Sequence, residues 1–136
     1  MEERKLPLEG LKVIELGTHF AVPSVTRMLA DWGAEVVKVE SIAGDAWRIV
    51  GRNQKCPITD EENPFFMVPN ANKKFVALNL KEEQGKEALI KLIGTAEIFI
   101  SNMRMPALTK LGFDYKQLSA QYPELIYVHF TGYGYK

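Results

Sequence analysis

Residues 10–40, GLKVIELGTHFAVPSVTRMLADWGAEVVKVE, decide the fold of this chain. Lys12 to Leu16 and Val36 to Val39 are short apolar runs of strand length. Between them Val25, Met28, Leu29 and Trp32 recur at i, i+3, i+4, i+7, which predicts a helix with that stripe against a sheet. Pro23 suits the first helical turn, where its missing N–H costs no hydrogen bond. Gly33 suits the left-handed residue that follows a helix end. The stretch therefore reads as a β-α-β unit.

Working outward, residues 41–74 contain Gly44, Gly51, Pro57, Pro64 and Pro69 with no sustained period. A connection this long is expected to be functional or to pack as an excursion over the core, with Phe65, Phe66 and Met67 as its anchors. Regular structure resumes with a strand at Phe75 to Leu78 and a helix from Glu82 to Ile93. Gly85, Leu89 and Leu92 share one face of that helix, and Glu82–Lys86 and Glu87–Lys91 are spaced as i, i+4 ion pairs. Gly94 is the expected stop. Ile98 to Ile100 is a fourth strand, and Pro106 and Gly112 bracket a short helix. Asp114 can cap another, Tyr115 to Gln121, which Pro123 ends. Leu125 to Val128 is a fifth strand.

Strands alternating with helices, most of them nearly unbroken apolar runs, predict an α/β fold. The expected form is a Rossmann-like, mostly parallel sheet flanked by helices. The 136 residues suit one domain, 1–136. Lys and Arg total 17 and Asp and Glu total 17, so no global field recruits nucleic acid or an anionic membrane. The lone Cys56 excludes an internal disulfide and fits a reducing compartment. The opening MEERKLPLEG lacks a signal-peptide core, and no apolar run nears the ~20 residues that span a bilayer. A cytoplasmic domain is expected.

Ligands of such sheets sit beyond the carboxyl ends of the strands. Gly17 to Pro23, Ser101 to Pro106 and Thr131 to Lys136 fall there. The first has glycine only at Gly17, so it lacks the G-x-G-x-x-G phosphate loop of dinucleotide folds. His19 has no carboxylate placed beside it by the sequence and reads as a loop histidine. Asn102, Arg104 and Lys110 offer an amide, a planar fork and a point charge, a set suited to a phosphorylated ligand, and equally to a solvated loop. Asn70 to Lys74 reads as a turn into the third strand, and Asp45 as a turn residue able to hold backbone or Arg48. Glu15, Asp31 and Glu40 form no evident acid–base pair. No metal-ligand spacing and no G-x-S-x-G elbow occurs.

The ordered series GLKVIELGTHFAVPSVTRMLADWGAEVVKVE, GDAWR, NANKKFVALNLK, AEIFISNMRMPALTKLGFDY and YPELIYVHFTGYG resembles the family III CoA-transferases from about Leu8 onward. DWGAEVVKVE, DEENPFF, NANKK and GYG look most like their clostridial 2-hydroxyacyl-CoA members, which serve amino-acid fermentation. The resemblance implies the N-terminal part of the large domain. It also implies a reaction in which an aspartate attacks an acyl-CoA, forms a mixed anhydride, and passes through an enzyme-bound CoA thioester. That aspartate is expected downstream of Lys136, so this chain would carry no catalytic residue and be inactive alone. CoA is implied as substrate rather than prosthetic group, with a small carboxylic acid as second substrate and an interlocked homodimer as the assembly. The implied CoA contacts are His19, Phe20, Ala21, Leu78, Asn102, Arg104 and Lys110. Some members of that family carry Gln where Phe20 stands and some carry Arg where Ser41 stands, which puts an acyl contact and one cation in question. An α-methylacyl-CoA racemase fragment, or a non-catalytic CoA-binding module, is the alternative.

Overall fold

The computed structural model describes residues 5–59 and 61–134; residues 1–4 of the opening quoted above, Asp60 of DEENPFF, and Tyr135 and Lys136 of the segment Thr131 to Lys136 lie outside them. The elements run β1 (Lys12–Leu16), α1 (Ala21–Asp31), β2 (Glu35–Glu40), α2 (Trp47–Val50), a 3-10 turn (Gly51–Gln54), α3 (Pro64–Asn70) and β3 (Lys74–Ala77). They continue with α4 (Glu83–Ile93), β4 (Ile98–Ser101), α5 (Met105–Leu111), α6 (Tyr115–Gln121) and β5 (Ile126–His129). The strands form one five-stranded sheet in the order β3-β2-β1-β4-β5, with every pairing parallel. The order reverses between β1 and β4, which is the switch point where such sheets open a crevice.

Alternation along each inner strand separates two cores. Ile14, Leu16, Val37, Val39 and Phe99 face Leu89, Ile93, Leu108 and Leu118 of α4, α5 and α6. Val13, Val36 and Ile100 face the other way, against Val22 of α1 and Ala34. The helix stripe expected for α1 is rotated from the one found. Val22, Pro23 and Thr26 are the buried positions, with Leu29 and Ala30 packed beside them. Val25, Met28 and Trp32 are 44%, 53% and 51% exposed. The i, i+3, i+4 spacing identified the helix but not the face, because Thr26 enters the core to reach a buried carboxylate.

The excursion is more regular than its composition suggested. Asn63 caps α3 by accepting from the Phe66 N–H at 3.2 Å, and Pro64 takes the first helical turn. Phe66 is the buried anchor, whereas Met67 is half exposed. The i, i+4 pairs expected on α4 are replaced. Glu82 precedes the helix with extended backbone, and the pair that forms is Lys86 with Glu83 at 2.9 Å. Gly33 at φ +103 occupies the left-handed position expected of it, and Gly112, expected to close its helix, does so at φ +89.

Candidate functional site

The loops that leave β1, β2 and β3 meet at the carboxyl edge of the sheet around a cleft of about 830 Å3. Leu16, Gly17 and Thr18 form one wall, residues 40–45 a second, and residues 78–81 a third. Met103 and Leu111 close the side beneath β4. The β2 and β3 loops supply most of this lining, although the sequence directed attention to the loops after β1 and β4. The described part of the third expected segment, Thr131 to Gly134, contributes nothing to the lining.

The residues implied by resemblance do not all converge on the cleft. Leu78 lines it directly, at the end of β3. His19, Phe20 and Ala21 continue from its Gly17–Thr18 wall into the start of α1, Phe20 being the residue before the helix. His19 holds φ +66, a left-handed conformation that costs a non-glycine residue about 1–2 kcal/mol. Its ring lies 5.6 Å from that of Trp47, and its Nδ1 is 2.9 Å from Thr18 Oγ1. Asn102 faces the same loop. Its Oδ1 accepts from the Thr18 N–H at 3.0 Å and its Nδ2 donates to the Thr18 carbonyl at 2.9 Å. Arg104 precedes α5 and Lys110 occupies its last turn, both exposed, and neither is ion-paired among the described residues.

Gly17 is required where it stands. A Cβ there would lie 2.6 Å from Val22 Cγ1, so the first turn of α1 can close onto the loop only over a glycine.

Beneath the loop lies a cluster that the sequence reading missed. Glu15 and Lys38 are register partners on β1 and β2, point to the same face, and are both fully buried. Lys38 Nζ donates to Glu15 Oε1 at 2.7 Å and to the Gly17 carbonyl at 2.8 Å. It also lies 2.9 Å from Asp45 Oδ2, off the axis of a directed hydrogen bond, so that contact is coulombic. Glu15 Oε2 accepts from Thr26 Oγ1 at 2.5 Å and from Lys73 Nζ at 2.8 Å. Lys73 donates further to the Pro23 carbonyl and to Asn70 Oδ1. Burial lowers the Lys73 pKa to about 8, against the opposing pull of Glu15. Two carboxylates thus neutralise two ammonium groups out of water, a condition for tolerating any of them there.

Asn70 to Lys74 is accordingly more than a turn, because Lys73 enters the core through it. Asp45 holds backbone, as expected, but not Arg48. Its Oδ1 accepts from the N–H groups of His19 at 3.1 Å and Trp47 at 2.9 Å. Arg48 instead forks onto Glu40 at 2.8 and 2.9 Å and lays its guanidinium 3.7 Å from the Phe66 ring centroid. Glu40 does therefore have a partner. Among the described residues no cluster of three or more His, Cys, Asp or Glu could hold a metal ion, and no helix is long and apolar enough to cross a membrane.

Residues 8–136 match the family model described as CoA-transferase family III. The chain belongs to that family. It is 48% identical over 129 residues to the (R)-2-hydroxy-4-methylpentanoate CoA-transferase of Clostridioides difficile, covering 95% of this chain and 32% of that one. It is 44% identical over 136 residues to the cinnamoyl-CoA:phenyllactate CoA-transferase of Clostridium sporogenes, covering 100% of this chain and 33% of that one. A crystal structure of a CAIB/BAIF family protein from Brucella suis superposes with a TM-score of 0.90 at 36% identity, over 98% of this chain and 35% of that one. This family III chain thus spans about a third of the length of the relatives it matches.

Proposed function

We propose that this chain supplies the CoA-binding edge of a transferase that moves CoA between an acyl-CoA and a 2-hydroxy acid. The observation that carries the reading is the 830 Å3 cleft at the carboxyl edge of β1, β2 and β3 in a family III chain. In this reading the cleft takes the nucleotide part of CoA, with Leu78 against it. His19, Phe20 and Ala21 extend the first wall, and Asn102 fixes that wall through Thr18. Arg104 and Lys110, exposed and free of ion pairs among the described residues, meet the phosphates. A 2-hydroxy acid as second substrate is favoured by the names of the two clostridial relatives.

The chemistry proposed is acyl exchange through an aspartyl anhydride and an enzyme-bound CoA thioester. The nucleophile is not assigned to any described residue. Glu40 and Asp45 border the cleft, but the first is forked by Arg48 and the second is committed to Lys38 and two backbone N–H groups. Both are thereby engaged in structural contacts and poorly placed to attack a thioester. An interlocked homodimer and a cytoplasmic location belong to the same proposal; the exposed Val25, Met28 and Trp32 of α1 offer an apolar face for the partner.

Calorimetric titration with CoA tests the binding claim. Saturable binding that is weakened when the 3′-phosphate and diphosphate are removed from the ligand supports it, and absence of binding at millimolar CoA overturns it.

A further inference from the structure

Three consecutive residues of the β1 loop have their backbone polar groups taken by side chains from elsewhere. The Gly17 carbonyl accepts from Lys38 of β2 at 2.8 Å. Both backbone groups of Thr18 are held by Asn102, which follows β4. The His19 N–H donates to Asp45 Oδ1 at 3.1 Å, and Asp45 belongs to the loop after β2. A loop of this kind would ordinarily give these groups to water or to neighbouring backbone, and would be free to adjust.

Asp45 links this clamp to the buried charges. Only 3% of it is exposed. One carboxylate oxygen holds the His19 and Trp47 N–H groups, and the other lies 2.9 Å from the Lys38 ammonium. Lys38 in turn holds Gly17, two residues before His19. The two charged side chains thus grip the loop on either side of Thr18 while neutralising one another. The left-handed backbone of His19 is unfavourable by itself, so something must impose it, and Asp45 is the side chain that accepts from its backbone N–H.

We infer that Asp45 is a positioning residue: its carboxylate, fixed by Lys38, holds the Gly17–Phe20 loop in its ligand-ready form before any ligand arrives. This rests on the proposed assignment of that loop as a wall of the CoA site. Preorganisation of this kind saves the ordering cost that a mobile loop would charge against binding. No covalent step is assigned to Asp45.

The test measures amide hydrogen exchange and CoA affinity together, in the wild-type protein, Asp45→Ala and Asp45→Asn. Asp45→Ala is expected to speed exchange at the His19 N–H at least tenfold while Ile14 and Phe99 in the sheet stay protected. It is also expected to weaken CoA at least tenfold. Asp45→Asn keeps an acceptor oxygen for His19 and is expected to recover part of both losses, which a merely bulky filler would not do. Unchanged His19 exchange in Asp45→Ala overturns the inference, as does faster exchange with unchanged CoA affinity. If Asp45→Ala also deprotects Ile14 and Phe99, the same two readings on Asp45→Asn decide. Failure of the wild-type protein to bind CoA would instead overturn the site assignment, and His19 exchange would still decide whether Asp45 holds the loop.

Discussion

Glu15 and Lys38 stand opposite each other in register on adjacent parallel strands, and their charged atoms meet at 2.7 Å with no side-chain surface exposed. Two strands that read as apolar thus carry an ion pair at their centre, directly under the loop assigned to the ligand. Their register makes this possible, because Glu15 and Lys38 project toward α1 from the same row of the sheet, where Thr26 supplies a further donor.

Removing one member of this pair leaves its partner buried and uncompensated. Lys38→Met is expected to lower the unfolding free energy by about 3–5 kcal/mol. Urea denaturation checks this, and a loss of less than about 1 kcal/mol would mean that water reaches Glu15 and Asp45 in the folded protein.

Lys73 predicts a pH dependence. Its side chain has no exposed surface, and burial holds its pKa near 8, below the ordinary 10.5. Between those values the unfolded chain binds more protons at this position than the folded one, so its contribution to stability rises with pH. The wild-type protein should therefore gain stability relative to Lys73→Met as pH climbs from 8 toward 10.5. A denaturation series that shows a flat or falling difference across that window would contradict the buried placement.

Arg104 and Asn102 should separate cleanly. Arg104 is exposed and unpaired among the described residues, so Arg104→Ala should weaken CoA about 3- to 30-fold, reduce the salt dependence of binding, and leave stability within about 0.5 kcal/mol. Asn102→Ala removes both bonds to Thr18 and should cost stability as well, about 1–2 kcal/mol. Equal stability losses in the two variants would contradict the division of roles.

Ser41 lines the cleft, at a position where the family resemblance implies a cation in some members. Ser41→Arg should tighten CoA binding by a factor of a few, as a single partly screened charge pair does. Calorimetry at low salt reads this, and unchanged or weaker affinity would place the phosphates away from residue 41.

Much of the architecture was legible because it depends on local signals. Apolar runs, Pro23, Gly33, Asp114 and Gly112 fixed the five strands and most of the helices to within a residue or two. The face of α1 was not legible, since exposed Val25, Met28 and Trp32 outweigh buried Thr26 on any hydrophobic count. Helix α3 was hidden by Pro64 and Pro69, read as breakers. Asn63 followed by Pro64 is nevertheless a cap followed by a residue preset for the first turn. The buried charges needed the sheet order. A charged residue in each of two adjacent strands, on one face and at one register position, is the signal that marks Glu15 and Lys38. It becomes visible once β2 is known to lie beside β1.

The central claim is that CoA lies along the carboxyl edge formed by the β1, β2, β3 and β4 loops. Backbone amide shifts recorded by NMR during a CoA titration test it most directly. The account predicts changes concentrated at Gly17 to Phe20, Glu40 to Asp45, Leu78 to Lys81 and Asn102 to Lys110, saturating together. Saturable changes confined to the outer face of α1 or to the β5 edge, with those four segments unmoved, would contradict it.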